Sequence, residues 1–381
     1  MAMRSTPTSQ APGSDVTQSH EAGSVSPTIM RTYVLVAYVE LHCHSAFSFL
    51  DGASLPDELV PRALELGYGA LALTDHNSVS GSMEFAVSAR ALGLRPIHGA
   101  EIDLVDGRQG WGGGNHITLL VQDARGWSNL CRILTRAHAH TREQPGPPSD
   151  PHVPLEVVLE HAPGLVCLSG CALRGVHDEP TLRRLLDVFG PDRLRIELQR
   201  PFLPGDRARN RRLERLAQRL GLACVATGNV HAHSPARALL QDALVAVRLH
   251  TTLDASEPQR RGNHSHVLAS PEAMAARFPE HPDAVAETER LAHELRFDLR
   301  SDLGYRYPGA EDAAAMRNLS ELCQARLHAR YADAPGSVRD QAGARLEEEL
   351  RIIDTLERQA ALHTELLDRH LTKHLSLLTK G

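Results

Sequence analysis

From about Tyr33 the chain alternates short apolar runs with stretches of helical period. Val34–Leu41, Ala70–Leu73, Leu165–Leu168, Leu194–Gln199 and Ala223–Ala226 read as strands bounded by turn residues. Pro96–His98 begins another strand. Glu101–Val105 and His116–Val121 flank a Gly-rich stretch and predict a hairpin. Between them lie amphipathic runs. Ser54-Leu55-Pro56-Asp57 offers an N-cap, an early proline and an acidic first turn for a helix to about Leu66, stopped by Gly67. Met83–Leu92 is closed by Gly93, and Trp127–His138 follows. After the Pro-rich loop Gln144 to Pro154 come helices over Leu155–His161, Thr181–Phe189, Asp206–Leu220 and Ala236–Leu249.

Strands alternating with helices imply an α/β fold with a mainly parallel sheet, and the number of units favours a closed or distorted barrel. Active-site residues of such barrels gather at the C-terminal strand ends. His42 and His44 end the first strand two residues apart, so both imidazoles face one side while Cys43 faces the core. His76, Glu101 and His231 follow later strands. His116 precedes its strand and joins them only through the hairpin. One His-x-His is weak evidence; several ligand-type residues after separate strands point to a metal enzyme.

Composition narrows this picture modestly. Aromatics are only 4%, so Leu, Val and Ala must fill the core. A net charge of −6 argues against a chain that coats nucleic acid, but not against a DNA substrate gripped locally. The six cysteines form no regular framework, which suits a reduced, cytoplasmic setting. No apolar run is long enough to span a membrane. Residues 1–32 read as a disordered leader rather than a signal peptide.

Each candidate has a plainer reading. Asp51 precedes Gly52 and by itself is a turn residue. Asp75 reads as a cap or as support for a neighbouring ligand. His98 fits the core or a supporting role, and His233 the surface or a supporting role. Cys171 could be a small core residue. The arginines of Arg207–Arg219 read as a solvated helix face.

Specific motifs resemble a known family. They are Glu40-Leu41-His42-Cys43-His44-Ser45, Phe49-Leu50-Asp51-Gly52, Ala72-Leu73-Thr74-Asp75-His76 and Pro96-Ile97-His98-Gly99-Ala100-Glu101. Leu168-Ser169-Gly170-Cys171, Glu197-Leu198-Gln199-Arg200, Ala226-Thr227-Gly228-Asn229-Val230-His231 and Leu303-Gly304-Tyr305-Arg306-Tyr307-Pro308 follow in order. Together they resemble the polymerase and histidinol phosphatase (PHP) superfamily, and more closely the N-terminal region of bacterial C-family error-prone DNA polymerases. The resemblance implies a distorted (β/α)7 barrel over 33–250 and a metal cleft for up to three divalent ions. Its ligands would be His42, His44, Asp51, His76, Glu101, His116, Cys171, Asn229 and His231. Position 229 departs from the family's usual Asp; a neutral amide adds no charge to offset crowded cations. His-rich ligation with Cys171 suits zinc, while manganese or magnesium would suit the carboxylates.

Residues 251–300 read as a return segment packed on the barrel, and 301–381 as the mostly helical start of a polymerase module whose familiar text fades after about 356. On that reading the chain should not synthesise DNA. The resemblance implies 3′–5′ exonucleolytic phosphoesterase chemistry on DNA, with other replication or repair proteins as partners and no membrane. The rival expectations are a free-standing small-molecule phosphatase, such as one for histidinol phosphate, and a metal-free brace.

Overall fold

Six apolar runs form one curled sheet in chain order: β1 (Ala70–Leu73), β2 (Arg95–Asp103), β3 (His116–Val121), β4 (Leu165–Leu168), β5 (Leu194–Gln199) and β6 (Cys224–Thr227). The computed structural model describes residues 37–105, 115–141, 150–261, 263, 265–303 and 315–356. The expected leader and the change of text after 356 lie outside the described residues. β1 pairs parallel with β2, β4 with β5, and β5 with β6; β3 runs antiparallel to both β2 and β4. The hairpin is therefore present, and its reversed strand is built into the middle of the sheet.

The first expected strand is replaced by a bridging segment. Within 37–44, Glu40 bridges Leu71 and Cys43 bridges Val230. The backbone of Ala72 donates to Glu40, that of Thr74 to Cys43, and that of His44 to Val230, while Val230 donates to His42. These bonds link β1 to the segment after β6, so the chain start draws the two sheet edges together.

Helices α1 (Pro56–Glu65), α2 (Ser82–Leu92), α3 (Ala124–His138), α4 (Leu155–Glu160), α5 (Glu179–Phe189), α6 (Asp206–Leu220) and α7 (Ala238–Arg248) follow the bridging segment or successive strands. The expected cap Ser54 is not the N-cap of α1. Leu55 is, with its amide held by Glu58, because the Ser54 hydroxyl is used by the backbone and ring of His233. Short α8 (Leu253–Ser256), then α9 (Pro271–Arg277) and α10 (Pro282–Glu294), complete the fold, with α10 against β6. Helix α11 (Ala315–Arg330) and the helical residues 336–356 lie beyond. Among the described residues no helix is long and apolar enough to cross a membrane.

Two apolar layers result. One is a small inner cluster of Val39, Leu41, Ala70, Ala72, Ile97, Leu120, Val166, Leu168 and Val225, joined by Leu291, Ala292 and Leu295 at the C-terminal half of α10 and just beyond. The parallel-strand members come mostly from early positions and Leu120 from late in reversed β3, so this plug fills the end opposite the C-terminal strand ends. The larger cluster lies between sheet and helices. Buried Arg195 ties β5 to Glu287 of α10 at 2.5 Å, and Arg95 donates to the carbonyls of Ala292 and Leu295. Gly99 marks where β2 passes from parallel to antiparallel pairing: a Cβ there would sit 2.4 Å from the carbonyl oxygen of Leu119.

His98 belongs to this core rather than to the strand-end cluster. Its ring meets Phe85, Trp127 and Phe297 edge-on, and neither ring nitrogen has a hydrogen-bond partner. Burial pushes its pKa down to about 4. Its unfolded value is near 6.5, so the unfolded chain binds more protons between pH 6.5 and 4. The stability of a neutral His98 is thus full above about pH 6.5 and is lost as pH falls toward about 4. His98→Leu should remove this contribution, reducing the loss of unfolding free energy between pH 7 and 5 by about 2 kcal/mol. Urea unfolding of both proteins at the two pH values measures it; an equal loss in both would show that His98 is solvated.

Candidate metal centre

The C-terminal strand ends carry a buried cluster of imidazoles and carboxylates. His42 and His44 come from the bridging segment, His76 from beyond β1, Glu101 from β2, His116 from the start of β3 and His231 from beyond β6. Because β3 is reversed, its start lies beside the end of β2, with His116 paired to Asp103 in register. This is how a residue preceding its strand joins those that follow theirs.

Glu101 is the hub. Its Oε2 lies 2.9 Å from His42 Nε2 and 4.0 Å from His44 Nε2, and its Oε1 lies 2.5 Å from His76 Nδ1 and 2.9 Å from His116 Nδ1. Asp51 is a second centre, 2.9 Å from both His76 Nε2 and His231 Nε2. The His44 ring stacks on His76 at 4.2 Å and packs on His231 at 4.4 Å. Two triads, His44–His76–His231 and His42–His44–Glu101, each bring one atom per residue to within 4.8 Å of the others.

The outer contacts orient these rings. A carboxylate only accepts, so His42 Nδ1 donates to Glu197 at 2.7 Å and Nε2 faces Glu101. His231 Nδ1 donates to the Asn229 carbonyl at 2.9 Å, which leaves a lone pair on Nε2. Ser48 gives its hydroxyl proton to Asp75, so His44 Nδ1, 3.4 Å from the same oxygen, is the donor there. Asp75 also takes the amide and hydroxyl of Ser45, which fixes the loop carrying Asp51. His233 supports the same loop through Ser54.

Burial opposes charge throughout, and the neighbours decide the outcome. For His42, Glu197 and Glu101 outweigh burial and lift the pKa to about 10; for His76, Glu101 and Asp51 do the same. His116 reaches about 10 through Cys171 and Glu101. His44 goes well down, through burial and then His76 and His231, and His231 falls to about 4 through burial and Arg261. Despite burial, both carboxyls stay well below their usual range: Glu101 beside His116 and His76, and Asp51 beside Arg261 and His231. His116 likewise lowers the Cys171 thiol against the effect of burial.

Some buried polar atoms remain unmatched. Among the described residues His44 Nε2 and Asn229 Oδ1 have no hydrogen-bond partner, and the short contacts at Glu101 Oε1 and His116 Nδ1 are too poorly aligned to supply one. Such atoms are costly unless something else binds them. Asn229 has left-handed backbone, φ 50°, which Asn tolerates better than most residues. Its carbonyl accepts from both His231 and His266.

Sequence reasoning missed four contributors. Glu197, quoted only within a motif, is buried against His42, Thr227 and Gln199. Glu40 accepts from Tyr38 Oη, His42 N and Gly228 N at 2.7–3.0 Å, and burial lifts its pKa to about 7 against those bonds. Arg261 and Arg248 reach Asp51 at 3.0 and 3.3 Å. Apolar neighbours in the Glu40 and Glu197 strands gave a weak signal for buried charge; nothing local marked the arginines.

Residues 40–201 match the family model described as the PHP domain. The chain is 38% identical over 346 residues to an error-prone DNA polymerase of Symbiobacterium thermophilum, covering 84% of this chain and 31% of the relative. It is 34% identical over 363 residues to one of Mycobacterium tuberculosis, covering 90% and 32%. The chain thus spans about a third of the length of these curated relatives. A Chromobacterium violaceum amidohydrolase structure with bound sulfate is 20% identical, covers 51% of this chain and 88% of that one, and has a TM-score of 0.35. The fold assignment rests on the strand order above rather than on that likeness.

The Glu40 contacts make a stability prediction. A Cβ on Gly228 would meet Glu40 Oε2 at 2.7 Å. Gly228→Ala should cost about 1–3 kcal/mol through overpacking and disturbed hydrogen bonds. The check is a lower urea midpoint at unchanged denaturant dependence; an unmoved midpoint would mean that the Glu40 carboxylate shifts freely.

Proposed function

Because residues 40–201 belong to the PHP domain family, in a chain homologous to error-prone DNA polymerases, we propose that the cluster is a divalent-metal phosphoesterase site acting on DNA phosphodiesters. The observation that carries this is His44 Nε2, buried without a hydrogen-bond partner among three other imidazoles and Glu101. The donor set fits: His44 and His231 are held neutral, Asp51 and Glu101 are ionised, the Cys171 thiol has a lowered pKa, and a bound cation would take the place of the protons that Glu101, Glu197 and Asp51 now hold on His42, His76 and His116. His42, His44, Asp51, His76, Glu101, His116, Cys171, Asn229 and His231 would hold up to three ions, and imidazole with thiolate favours zinc over manganese or magnesium. A metal there supplies Lewis acidity toward a phosphate oxygen.

The chain's own groups do the rest. Glu197 and the Asn229 carbonyl fix the His42 and His231 rings, which keeps their Nε2 atoms aimed into the cleft. Asp75 holds the loop of Asp51 through Ser45 and Ser48. The reaction is 3′–5′ exonucleolytic removal of a nucleotide, in a cytoplasmic replication or repair setting. DNA is gripped locally, since the chain carries a net charge of −6.

Purified full-length chain, dialysed against zinc or manganese, should retain metal and release nucleotides from the 3′ end of labelled single-stranded DNA. Metal retention with turnover of histidinol phosphate but not DNA would replace this reading with that of a small-molecule phosphatase. A chain that retains no metal would be a structural brace. The neutral Asn229 and the arginines on Asp51 favour the brace over the phosphatase as the alternative.

Asn229→Asp should raise metal content per chain and, with it, the nuclease rate, because an added carboxylate offsets crowded cations. Metal analysis after identical dialysis and rates on single-stranded DNA make the comparison. Equal content and equal rate in the two proteins would remove position 229 as the weak point.

A further inference from the structure

Asp51 and His231 already share a cation. Arg261 Nη2 lies 3.2 and 3.0 Å from the two Asp51 oxygens and also contacts His231 Nε2. The His231 proton is on Nδ1, committed to the Asn229 carbonyl, so its Nε2 offers a lone pair that a guanidinium N–H can fill. Arg248 adds a second guanidinium 3.3 Å from Asp51. This corner therefore has two positive side chains, one carboxylate and, at Asn229, an amide. The other end of the cluster is built differently, from His42, Glu101 and Glu197.

Resting on the metal-site reading, we infer that Arg261 is an internal cation that competes with divalent metal for Asp51 and His231 and sets how readily that corner loads. A divalent ion bonded to those two atoms would sit within a few ångströms of the guanidinium. Like charges at that range repel strongly in a buried site. Side chains near Arg261 are tied down: Arg260 pairs with Asp242, and the Asn263 amide and Ser265 hydroxyl both donate to the Pro201 carbonyl. The side chain itself is partly exposed at 22%, so solvent is the direction in which it would have to swing to give way. The device is thus exchange of one cation for another rather than a permanent block.

The test uses the full chain as wild type, Arg261→Ala, Arg261→Gln and Arg261→Lys. Zinc affinity is measured by competition with a chromophoric chelator, and heat unfolding is followed with and without excess zinc. Loss of the charge in the Ala and Gln variants should tighten zinc binding about tenfold or more, while Lys stays near wild type. The Ala and Gln variants should melt lower than wild type without metal, because Asp51 loses one of its two guanidinium partners, and gain more on adding zinc. Gln keeps an amide donor for Asp51, so it separates loss of charge from loss of fold. Measurable zinc binding that is equal or weaker in both Ala and Gln overturns the competition while leaving the metal site standing. Absence of zinc binding in all four proteins overturns the metal site, and the competition with it.

Discussion

The burial of Glu101 is the constraint on which the site depends. An ionised carboxylate with about 1% exposure needs partners on every side. His42 bonds its Oε2, His76 and His116 lie as ion-pair neighbours against Oε1, and His44 stands beyond. Those rings come from three chain segments and Glu101 from a fourth, so pairing this one carboxylate fixes the relative positions of the bridging segment, the end of β1, β2 and β3. The position of Glu101 makes this reachable. It lies late in β2, where parallel pairing to β1 is giving way to the antiparallel hairpin with β3.

The two ends of the sheet are thereby specialised. The end at α10 is an apolar plug of small and medium aliphatic side chains, with buried Arg195 closed by Glu287. The opposite end holds the cluster of buried imidazoles and carboxylates around Glu101 and Asp51. A core made from Ala, Val, Leu and Ile has little polar matter of its own. The polar cluster is consequently stabilised by its own internal pairing and by a surrounding ring of fixed hydrogen bonds from Glu197, Asn229, Asp75 and Ser48. This divides the labour between a stable base and a chemically demanding mouth.

The electrostatics of the mouth are graded. Around Glu101 and Glu197 the imidazoles of His42, His76 and His116 are pulled toward the protonated form; His44, packed between two rings, and His231, beside Arg261, are held neutral. A cluster with both kinds of imidazole offers lone pairs on one side and charge-assisted hydrogen bonds on the other. The arginines at Asp51 add a built-in counter-cation to that gradient.

Local sequence alone determined much of this. The apolar runs at 165–168 and 194–199, the helix 206–220 and the Gly93 stop needed only periodicity and a left-handed cap residue, because those signals are local. The His-x-His pair and the strand-end rule also brought His42, His44, His76, Glu101 and His231 to one place, since period-two alternation and parallel pairing leave little choice of direction. Asp51 and Cys171 came into view through motif resemblance, because an Asp-Gly turn and a small buried thiol carry no distinctive local pattern. Tertiary structure decided the rest. Reversal of β3 put His116 in the cluster, bridging by 40–44 replaced the first strand, and aromatic neighbours from α2, α3 and Phe297 took His98 into the core. Arg261 meets Asp51 across 210 residues. Such a contact is set by how two loops cross one mouth, and no short-range pattern encodes it.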